Sequence, residues 1–264
     1  MPEHRRPRIP PGFSTAEVHS HTLASDGMVS AVKLVRAASA IGLRVLCITD
    51  HDTITELEPA MEVGAELGVD VVQGEEVTAS FPPGIHIVGL FLERQVRMHM
   101  TVEDTIDAIH DHGGLALIAH PFMPTWFASM TPRSARRLLE THAVDGIEVR
   151  HTAPVLRGTW GHLDRFYAQH RERLGAAVGS GDSHFGEHDL GRVVTVFPGQ
   201  TAADLRRAIE TRATSPLTGW ARPVAPPLNL RLSQQYRSMV WLSRERRAGR
   251  VGGGAGPAER ARVG

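Results

Sequence analysis

The stretch E-V-H-S-H-T-L-A-S-D-G, residues 17–27, decides the fold prediction for this chain. It places His19 and His21 two residues apart, after small and apolar residues that suit a short buried strand. Because side chains alternate between the faces of a strand, both imidazoles would point to one side. Neutral imidazoles bind divalent transition metals, so the spacing predicts a metal clamp. Two exposed histidines on a strand edge would give the same spacing, and the interpretation therefore depends on further ligands.

Downstream of this stretch, short apolar runs alternate with segments of helical periodicity. The predicted strands are residues 15–22, 45–49, 69–72, 85–92, 115–119, 146–149 and 176–179. The predicted helices are residues 32–41, 56–67, 102–112, 132–142, 162–173 and 201–211. Six or seven β/α units in this order predict a parallel α/β barrel. In such barrels the catalytic groups lie where strands end and loops begin.

Histidines or carboxylates stand at or near the ends of nearly all the predicted strands. In chain order these residues are His19, His21, Asp26, Asp50, His51, Glu76, His86, His120, Asp182 and His184. Most of them follow a strand, whereas His86 lies within one. Because the strands of a parallel barrel deliver their carboxyl ends to one rim, we expect these side chains to meet there. Cys47 is the only cysteine, which excludes an internal disulfide and a thiolate metal cage.

The composition is typical of a soluble globular enzyme. The chain has 264 residues, 41% of them hydrophobic and 5% aromatic, which suits one barrel-sized domain. No apolar run approaches the roughly 18 to 20 residues that a membrane span requires. Residues 1–12 are rich in Arg and Pro and lack the apolar centre of a signal peptide. We therefore expect a cytoplasmic enzyme without a membrane partner.

The motifs around these residues resemble those of the PHP superfamily, named for its polymerase and histidinol-phosphatase members. The matching motifs are H-S-H-T-x-x-S-D-G, T-D-H-D-T, G-x-E, A-H-P and D-S-H, spread over residues 14–197. The segments I-H-I-V-G and G-I-E-V are most similar to stand-alone PHP phosphoesterases that act on nucleotides. The resemblance implies a distorted (β/α)7 barrel with two or three divalent metals at its C-terminal rim.

The resemblance also implies how the ligands divide among the metal ions. One ion would take His19, His21, Glu76 and Asp182. A second would share Glu76 and add His86 and His120. A third would take Asp26, His51 and His184. Glu76 is preferred to Glu75 because the family's carboxylate is the third residue of G-x-E. Zn, Mn or Fe suits this mixture of imidazole and carboxylate ligands, and Mg could occupy the oxygen-rich positions.

This ligand set predicts hydrolysis by an activated water. A water that bridges two cations at Glu76 would lose a proton near neutral pH and attack phosphorus in line. A third cation or a nearby histidine would stabilise the leaving alkoxide. We expect Glu76, Asp182 and His184 to be the catalytic residues.

Further residues are expected to orient the ligands. These orienting residues are Glu17, Asp50, Asp52 and Glu148. Asp50 and Asp52 flank His51 and would accept its second N–H, although Asp52 could equally cap the following helix. Two positions depart from the family pattern, because Glu17 stands where Asp is usual and Gly181 stands where Ser or a similar residue is more usual. We expect a changed orientation at the first and a looser loop at the second.

Substrate phosphate must be bound by arginine, histidine or backbone N–H groups, because Lys33 is the only lysine. Arg192 is the first candidate, with a plain surface position as an equal alternative, and Arg150 and His151 follow. Within the loop at 122–130, Trp126 or Phe127 could stack on a base, or the loop could pack on the barrel.

The chain changes character after residue 198. We place the barrel at 14–215, and a Pro-rich linker, a short helix and a basic tail at 216–264. The helix prediction covers 228–247, with an apolar face that would pack on the barrel or on a second subunit. This face comprises Leu232, Tyr236, Met239, Val240 and Trp241. Residues 249–264 are expected to be a disordered, solvated tail, although their positive charge could attract nucleic acid.

Three functions are consistent with these residues. The first is hydrolysis of a small phosphomonoester, with a nucleotide or a nucleoside 3',5'-bisphosphate favoured as substrate and nucleic acid disfavoured. The second is hydrolysis of a non-phosphate ester or a carbamate by the same activated water. The third is a non-catalytic PHP module that binds a partner. The complete ligand set favours the first.

Overall fold

One mixed β-sheet forms the frame of the protein. The structure, a computed structural model, describes residues 6–54, 56–80, 84–123, 128–222 and 224–252. The strands are β1 (Phe13–Glu17), β2 (Val45–Ile48), β3 (Asp70–Ala79), β4 (Ile85–Leu90), β5 (Leu115–Ile118), β6 (Gly146–Arg150), β7 (Ala176–Gly179), β8 (Val193–Pro198) and β9 (Ser215–Thr218). Their order in the sheet is β7-β6-β5-β4-β3-β2-β1-β8-β9.

Helices follow most of the strands. They are α1 (Ala31–Ala40), α2 (Glu58–Leu67), α3 (Val102–Asp111), α4 (Pro132–Thr141), α5 (Thr159–Leu174), α6 (Ala202–Glu210), α7 (Leu228–Tyr236) and α8 (Leu242–Arg247). A short π-helical segment, Arg237–Trp241, joins α7 to α8, so that the helix predicted over 228–247 is continuous. No helix in the described ranges combines the length and the apolar character that a membrane crossing requires.

The α/β barrel prediction is confirmed, but the sheet is not purely parallel. Strand β4 pairs antiparallel with both β3 and β5. The connection from β3 to β4 is too short for a crossover helix, which explains the reversed direction. Two strands were not predicted: β8 runs antiparallel to β1, and β9 runs antiparallel to β8. The β-branched run V-V-T-V-F of β8 carried a strand signal.

The sheet closes into a barrel at the rim, where the chain leaves β1 and β7. Ser20 and Ser183 form an isolated parallel bridge. The His21 N–H donates to the Ser183 carbonyl at 2.8 Å, and the Ser183 N–H donates to the His19 carbonyl at 3.2 Å. These backbone bonds join two segments far apart in sequence. The seam of the barrel therefore brings the first and last predicted ligand motifs together.

Apolar side chains fill the barrel and also cover its outside. Val45 and Cys47 of β2 point into the interior cluster, whereas Leu46 and Ile48 pack outside with α1 and α2, as strand alternation requires. Helix α6 adds Leu205 to the interior cluster. A second outer cluster forms under α3, α4 and α5. Cys47 is thus a buried core residue.

The predicted apolar face of the C-terminal helix is mostly exposed, and its contact with the barrel is limited to one edge, where Leu232, Tyr236 and Trp241 lie beside Leu23 and Met28. Leu232, Tyr236 and Met239 are 56%, 53% and 77% exposed, whereas Leu242 is 2% exposed. The opposite, more polar side faces the barrel rim. A second subunit on the apolar face stays a prediction. The prediction of a disordered tail over 249–264 was wrong for residues 249–252, because Val251 is buried and the Gly252 N–H donates to the Asp52 carbonyl at 2.7 Å. Residues 253–264 and the predicted residues Trp126 and Phe127 lie outside the described residues.

Candidate metal centre

Strand β3 carries Glu76 into the middle of a histidine cluster. The strand was predicted to end at residue 72 but continues to Ala79, so Glu76 lies within it. Both carboxylate oxygens are surrounded: three histidine nitrogens lie 3.1 to 3.3 Å from Oε2, and two lie 2.7 to 3.0 Å from Oε1. The three belong to His19, His21 and His51, and the two belong to His86 and His120.

Two aspartates complete this cluster. Asp182 Oδ1 lies 3.2 Å from His21 Nε2 and 3.6 Å from His19 Nε2. Asp26 Oδ1 lies 3.2 Å from His184 Nε2 and is also close to His51. All nine predicted metal ligands are therefore gathered in one place.

The cluster divides into three groups whose ligand atoms lie within 4.8 Å of one another. The groups are His21, Asp26, His51 and His184; His19, His21 and Glu76; and His51, Glu76 and His86. This division differs from the predicted one, because His21 and His51 each belong to two groups. The shared residues sit between neighbouring groups and would link adjacent ions.

Several buried ligand atoms have lone pairs without a hydrogen bond. His19 Nε2, His51 Nδ1 and Asp26 Oδ1 are buried and have no hydrogen-bond partner in the described part of the chain. Orphaned buried polar atoms of this kind are rare in folded proteins and call for an explanation. Here they point towards one another, as ligands around cations do. The donor set of imidazoles and carboxylates thus fits divalent metal ions.

Opposite charges within the cluster shift the pKa values of its members. Burial alone would raise the pKa of Glu76, but His86, His19 and His51 hold it well below its usual range. Burial also works to lower the pKa of His19, yet Glu76, Asp182 and Glu148 raise it well above its usual range. Because a metal displaces the proton on such a histidine, metal affinity should fall as the pH falls.

Glu148, on β6, forms hydrogen bonds with two of the histidines. Its Oε1 accepts from His19 Nδ1 at 2.8 Å, and its Oε2 accepts from the backbone N–H of His120 at 2.6 Å. Fixing the proton on His19 Nδ1 leaves the Nε2 lone pair directed at the cluster. Glu148 therefore sets both the tautomer of His19 and the position of His120.

Asp50 and Asp52 have contacts other than the expected ones to His51. The Asp50 carboxylate accepts from Thr22 and Ser25, and so holds the turn that follows His21. The Asp52 carboxylate accepts the backbone N–H and hydroxyl of Thr78, at 2.6 and 2.9 Å, and pairs with Arg246. Both aspartates therefore fix loops around the site.

Some backbone strain accompanies these contacts. The φ angles of Asp52, His120 and Asp182 are 50°, 26° and 47°, in a region that residues other than glycine seldom adopt. Such strain persists only where surrounding contacts hold it in place, and it occurs preferentially at functional sites.

The two departures from the family pattern lie in direct contact. Glu17 Oε1 accepts the backbone N–H of Gly181 at 2.7 Å. A Cβ added to Gly181 would overlap Glu17 Oε2. The longer acid at 17 thus occupies the volume that a side chain at 181 would need. The absence of a side chain at Gly181 therefore makes room for the longer side chain of Glu17. The sequence predicted only a looser loop at Gly181 and did not predict this contact.

Two cavities open beside the cluster. The first, of about 710 Å³, is lined by ligands including Glu76 and His86 and by Gln234 and Arg246 from the C-terminal helices. The second, of about 560 Å³, is lined by Arg192 and His188. Asp182, His184 and Gln234 line both. The cavities therefore meet at the metal ligands.

The three substrate-binding candidates differ in their position relative to the two cavities. Arg192 lies on the wall of the second cavity, next to Asp182 and His184. Arg150 instead forms a two-pronged ion pair with Asp164, at 2.7 and 3.0 Å. His151 is buried edge-on to the His120 ring, with centroids 6.4 Å apart, and burial lowers its pKa to about 4. Of the three, Arg192 is the one that lines either of these two cavities.

Comparison with known proteins agrees with the site geometry. A family model described as the PHP domain matches residues 17–191, well over half of the chain. The chain belongs to the PHP domain family. The match covers all nine metal-ligand candidates and ends before α6 and the C-terminal helices.

Several relatives of this chain are named for an enzymatic activity, and two of them match it over 206 residues. A 5'-3' exoribonuclease from Haemophilus influenzae is 27% identical over 206 residues, which cover 74% of this chain and 63% of that protein. A 3',5'-nucleoside bisphosphate phosphatase from Chromobacterium violaceum is 26% identical over 206 residues, which cover 69% of this chain and 70% of that protein. The chain thus spans less than two thirds of the exoribonuclease.

A solved structure from Bacteroides vulgatus shares the PHP fold. It is described as a two-domain protein containing a predicted PHP-like metal-dependent phosphoesterase. It superposes with a TM-score of 0.65 at 18% sequence identity, covering 90% of this chain and 74% of that chain.

Replacing Glu76 should remove metal from the purified protein, whereas replacing its neighbour should not. Glu76→Gln loses the carboxylate shared by two ligand groups. Glu75 is buried on the other face of β3, where it accepts the Val96 N–H at 2.7 Å and burial raises its pKa well above the usual range. Glu75→Gln therefore replaces a neutral side chain with another. We expect plasma mass spectrometry to find about one ion or fewer per chain in the first variant and wild-type content in the second. Equal metal content in both would contradict the central role of Glu76.

The contact between Glu17 and Gly181 should appear as an energetic coupling. Gly181→Ala forces a methyl group against the Glu17 carboxylate, and overpacking of this kind costs about 1–3 kcal/mol. The additional change Glu17→Asp should recover about half of that loss or more. Urea unfolding of the two single variants and the double variant measures the coupling. Additive losses would mean that the two departures are independent.

Glu17 should also make the stability of metal-free protein depend on pH. Burial raises the pKa of Glu17 to about 8, so the folded state retains a proton that the unfolded state loses above about pH 4.5. Its contribution is complete below that value and is lost as the pH rises towards 8. Relative to Glu17→Gln, wild type should lose about 1.4 kcal/mol per pH unit across this window. Urea unfolding in EDTA measures the difference, and parallel pH profiles would contradict the raised pKa.

Proposed function

We propose that this protein is a metal-dependent phosphoesterase that removes a phosphate group from a nucleoside 3',5'-bisphosphate or a similar small nucleotide. The observation that carries the proposal is the convergence of six histidines and three carboxylates, of which four histidines and all three carboxylates line a cavity of about 710 Å³. A cavity of that volume suits a ligand of nucleotide size. The phosphatase relative from C. violaceum supports the substrate class.

Glu76 and Asp182 are proposed to hold the reacting centre together. Divalent ions bound there would activate a water and neutralise phosphoryl oxygens. Glu76 offers a different oxygen to each of two histidine groups, so one buried carboxylate can position both. Asp182 completes the group formed by His19 and His21. Glu148 keeps the His19 Nε2 lone pair directed inward.

His184 is proposed to act on the leaving oxygen. It lines both cavities and therefore stands at the point where they meet, beside the candidate metal ligands. Its Nδ1 donates to the Asp182 carbonyl at 2.9 Å, and Asp26 faces its Nε2 at 3.2 Å. Burial alone would lower the pKa of His184, but Asp26 and Asp182 raise it well above the usual range. A proton at Nε2 is thus stabilised when no third ion is bound.

Removal of nucleotides from the 5' end of RNA is the second candidate function. The relative from H. influenzae supports it. So does the second cavity, because it gives a longer substrate a path away from the metal ligands past Arg192.

Phosphate release from a defined substrate panel tests these functions. Protein loaded with Mn²⁺ or Zn²⁺ would be given adenosine 3',5'-bisphosphate, adenosine monophosphate, p-nitrophenyl phosphate, p-nitrophenyl acetate and a 5'-phosphorylated oligoribonucleotide. We expect kcat/KM to be highest for the bisphosphate, by about tenfold or more over p-nitrophenyl phosphate, because the second phosphate adds charged contacts. The Glu76→Gln variant gives the background rate.

Each alternative has its own outcome in this panel. Mononucleotides released in sequence from the oligoribonucleotide, faster than phosphate from the bisphosphate, would favour the exoribonuclease. Turnover of the acetate alone would favour a non-phosphate esterase. A fully metal-loaded protein that hydrolyses none of them would support a binding module.

A further inference from the structure

The C-terminal helices α7 and α8 cross the mouth of the metal cavity, although they lie beyond residue 191, where the family match ends. Gln234 donates to Asp26 at 3.3 Å. Arg237 donates to the carbonyls of Leu23 and Ser25, at 2.7 and 2.6 Å, and so clamps α7 to the turn after His21. These contacts fix the C-terminal segment against the ligand motifs.

One face of this segment lines the cavity. Gln234, Ser238, Leu242 and Arg246 follow one another at intervals of four residues, the spacing that keeps side chains on one face of a helix. Leu242 is buried and anchors that face. The C-terminal helices therefore form one wall of the cavity.

Arg246 is the one arginine or lysine among the described residues that line this cavity. Its Nη2 pairs with Asp52 and donates to the Thr78 hydroxyl at 2.9 Å. Its Nε is buried and has no hydrogen-bond partner within the described ranges. Asp52 thus holds the guanidinium of this cavity-lining residue in place, while the Nε donor has no acceptor among the described residues. A buried unpaired donor is unfavourable until a ligand satisfies it.

The position of Arg246 relative to Glu76 suits a second phosphate. Thr78, which Arg246 contacts, is two residues beyond Glu76 on the same strand and therefore faces the same side. Two residues of strand span roughly 7 Å. The guanidinium consequently lies beside the metal ligands, within reach of another group on the same small molecule.

We propose that Arg246 binds the phosphate that is not cleaved and thereby determines the preference for bisphosphates. The inference rests on the proposed function, because it names the group that receives the second phosphate of that substrate. Arginine presents several N–H donors in a plane that matches phosphate oxygens. Arg192 is the weaker candidate, because it is exposed and lies on the wall of the other cavity.

The test compares Arg246→Gln with Arg247→Gln, an exposed arginine at the next position of α8. For Arg246→Gln we expect KM for adenosine 3',5'-bisphosphate to rise about tenfold or more, while kcat for this substrate stays within about twofold of wild type. KM for p-nitrophenyl phosphate, which has no second phosphate, should also stay within about twofold of wild type. Arg247→Gln should match wild type on both substrates. Arg246→Lys should be intermediate, because it keeps the charge but loses the fork of donors.

A purely structural role for Arg246 would give a different result. Loss of the Asp52 pair would then impair both substrates equally, and this outcome in a variant with wild-type metal content and melting temperature would overturn the proposal. Arg246→Lys retains a cation for Asp52 and so addresses binding if the glutamine variant folds poorly.

Calorimetric titration with adenosine 3',5'-bisphosphate gives a readout that does not depend on turnover. Binding to metal-loaded Arg246→Gln should be about tenfold or more weaker than binding to wild type. Equal affinities would refute the role of Arg246, whether or not the wild type hydrolyses the compound. Wild-type protein that binds the bisphosphate in an Arg246-dependent way without cleaving it would instead contradict the proposed catalysis alone.

Discussion

The buried carboxylate of Glu76 is the constraint on which the rest of this structure depends. It is 1% exposed and must keep its charge in a place where burial alone would favour the neutral acid. Five imidazoles around its two oxygens provide the compensating environment. They come from motifs spread between residues 19 and 120. The buried charge of Glu76 is therefore stabilised only when the barrel brings these motifs to one rim.

The seam of the barrel also brings distant ligand motifs together. Backbone bonds between the segments around Ser20 and Ser183 join the first ligand motif to the last. Below them, Glu17 accepts from Gly181 in a space that leaves no room for another side chain. The contacts that close the barrel are thus the ones that bring the ligand motifs together. A substitution that weakens the seam should therefore also disturb the candidate metal centre.

The candidate metal ligands and the cavity wall come from different parts of the chain. The ligand candidates lie within the PHP match, whereas the wall above them comes from residues beyond its end. Relatives named for a bisphosphate phosphatase and for an exoribonuclease share the matched region with this chain. A metal centre that activates water can serve several phosphate esters, because its contacts are to the phosphoryl group. The surrounding wall is then the natural place for specificity.

The sequence by itself determined the barrel class and which histidines and carboxylates would cluster at its rim. Those signals are local, because a strand period and a motif such as H-S-H-T depend on residues close together in the chain.

Tertiary structure decided the rest. Asp50 and Asp52, both adjacent to His51, hold Thr22, Ser25 and Thr78, which are distant in sequence. The C-terminal helix has an apolar face and a mixed face, and sequence favoured burial of the apolar one. Only the folded rim, with its carboxylates and backbone carbonyls, shows that Gln234, Arg237 and Arg246 find their partners there. Which face of a helix packs depends on the surface that receives it, and that surface exists only once the barrel has formed.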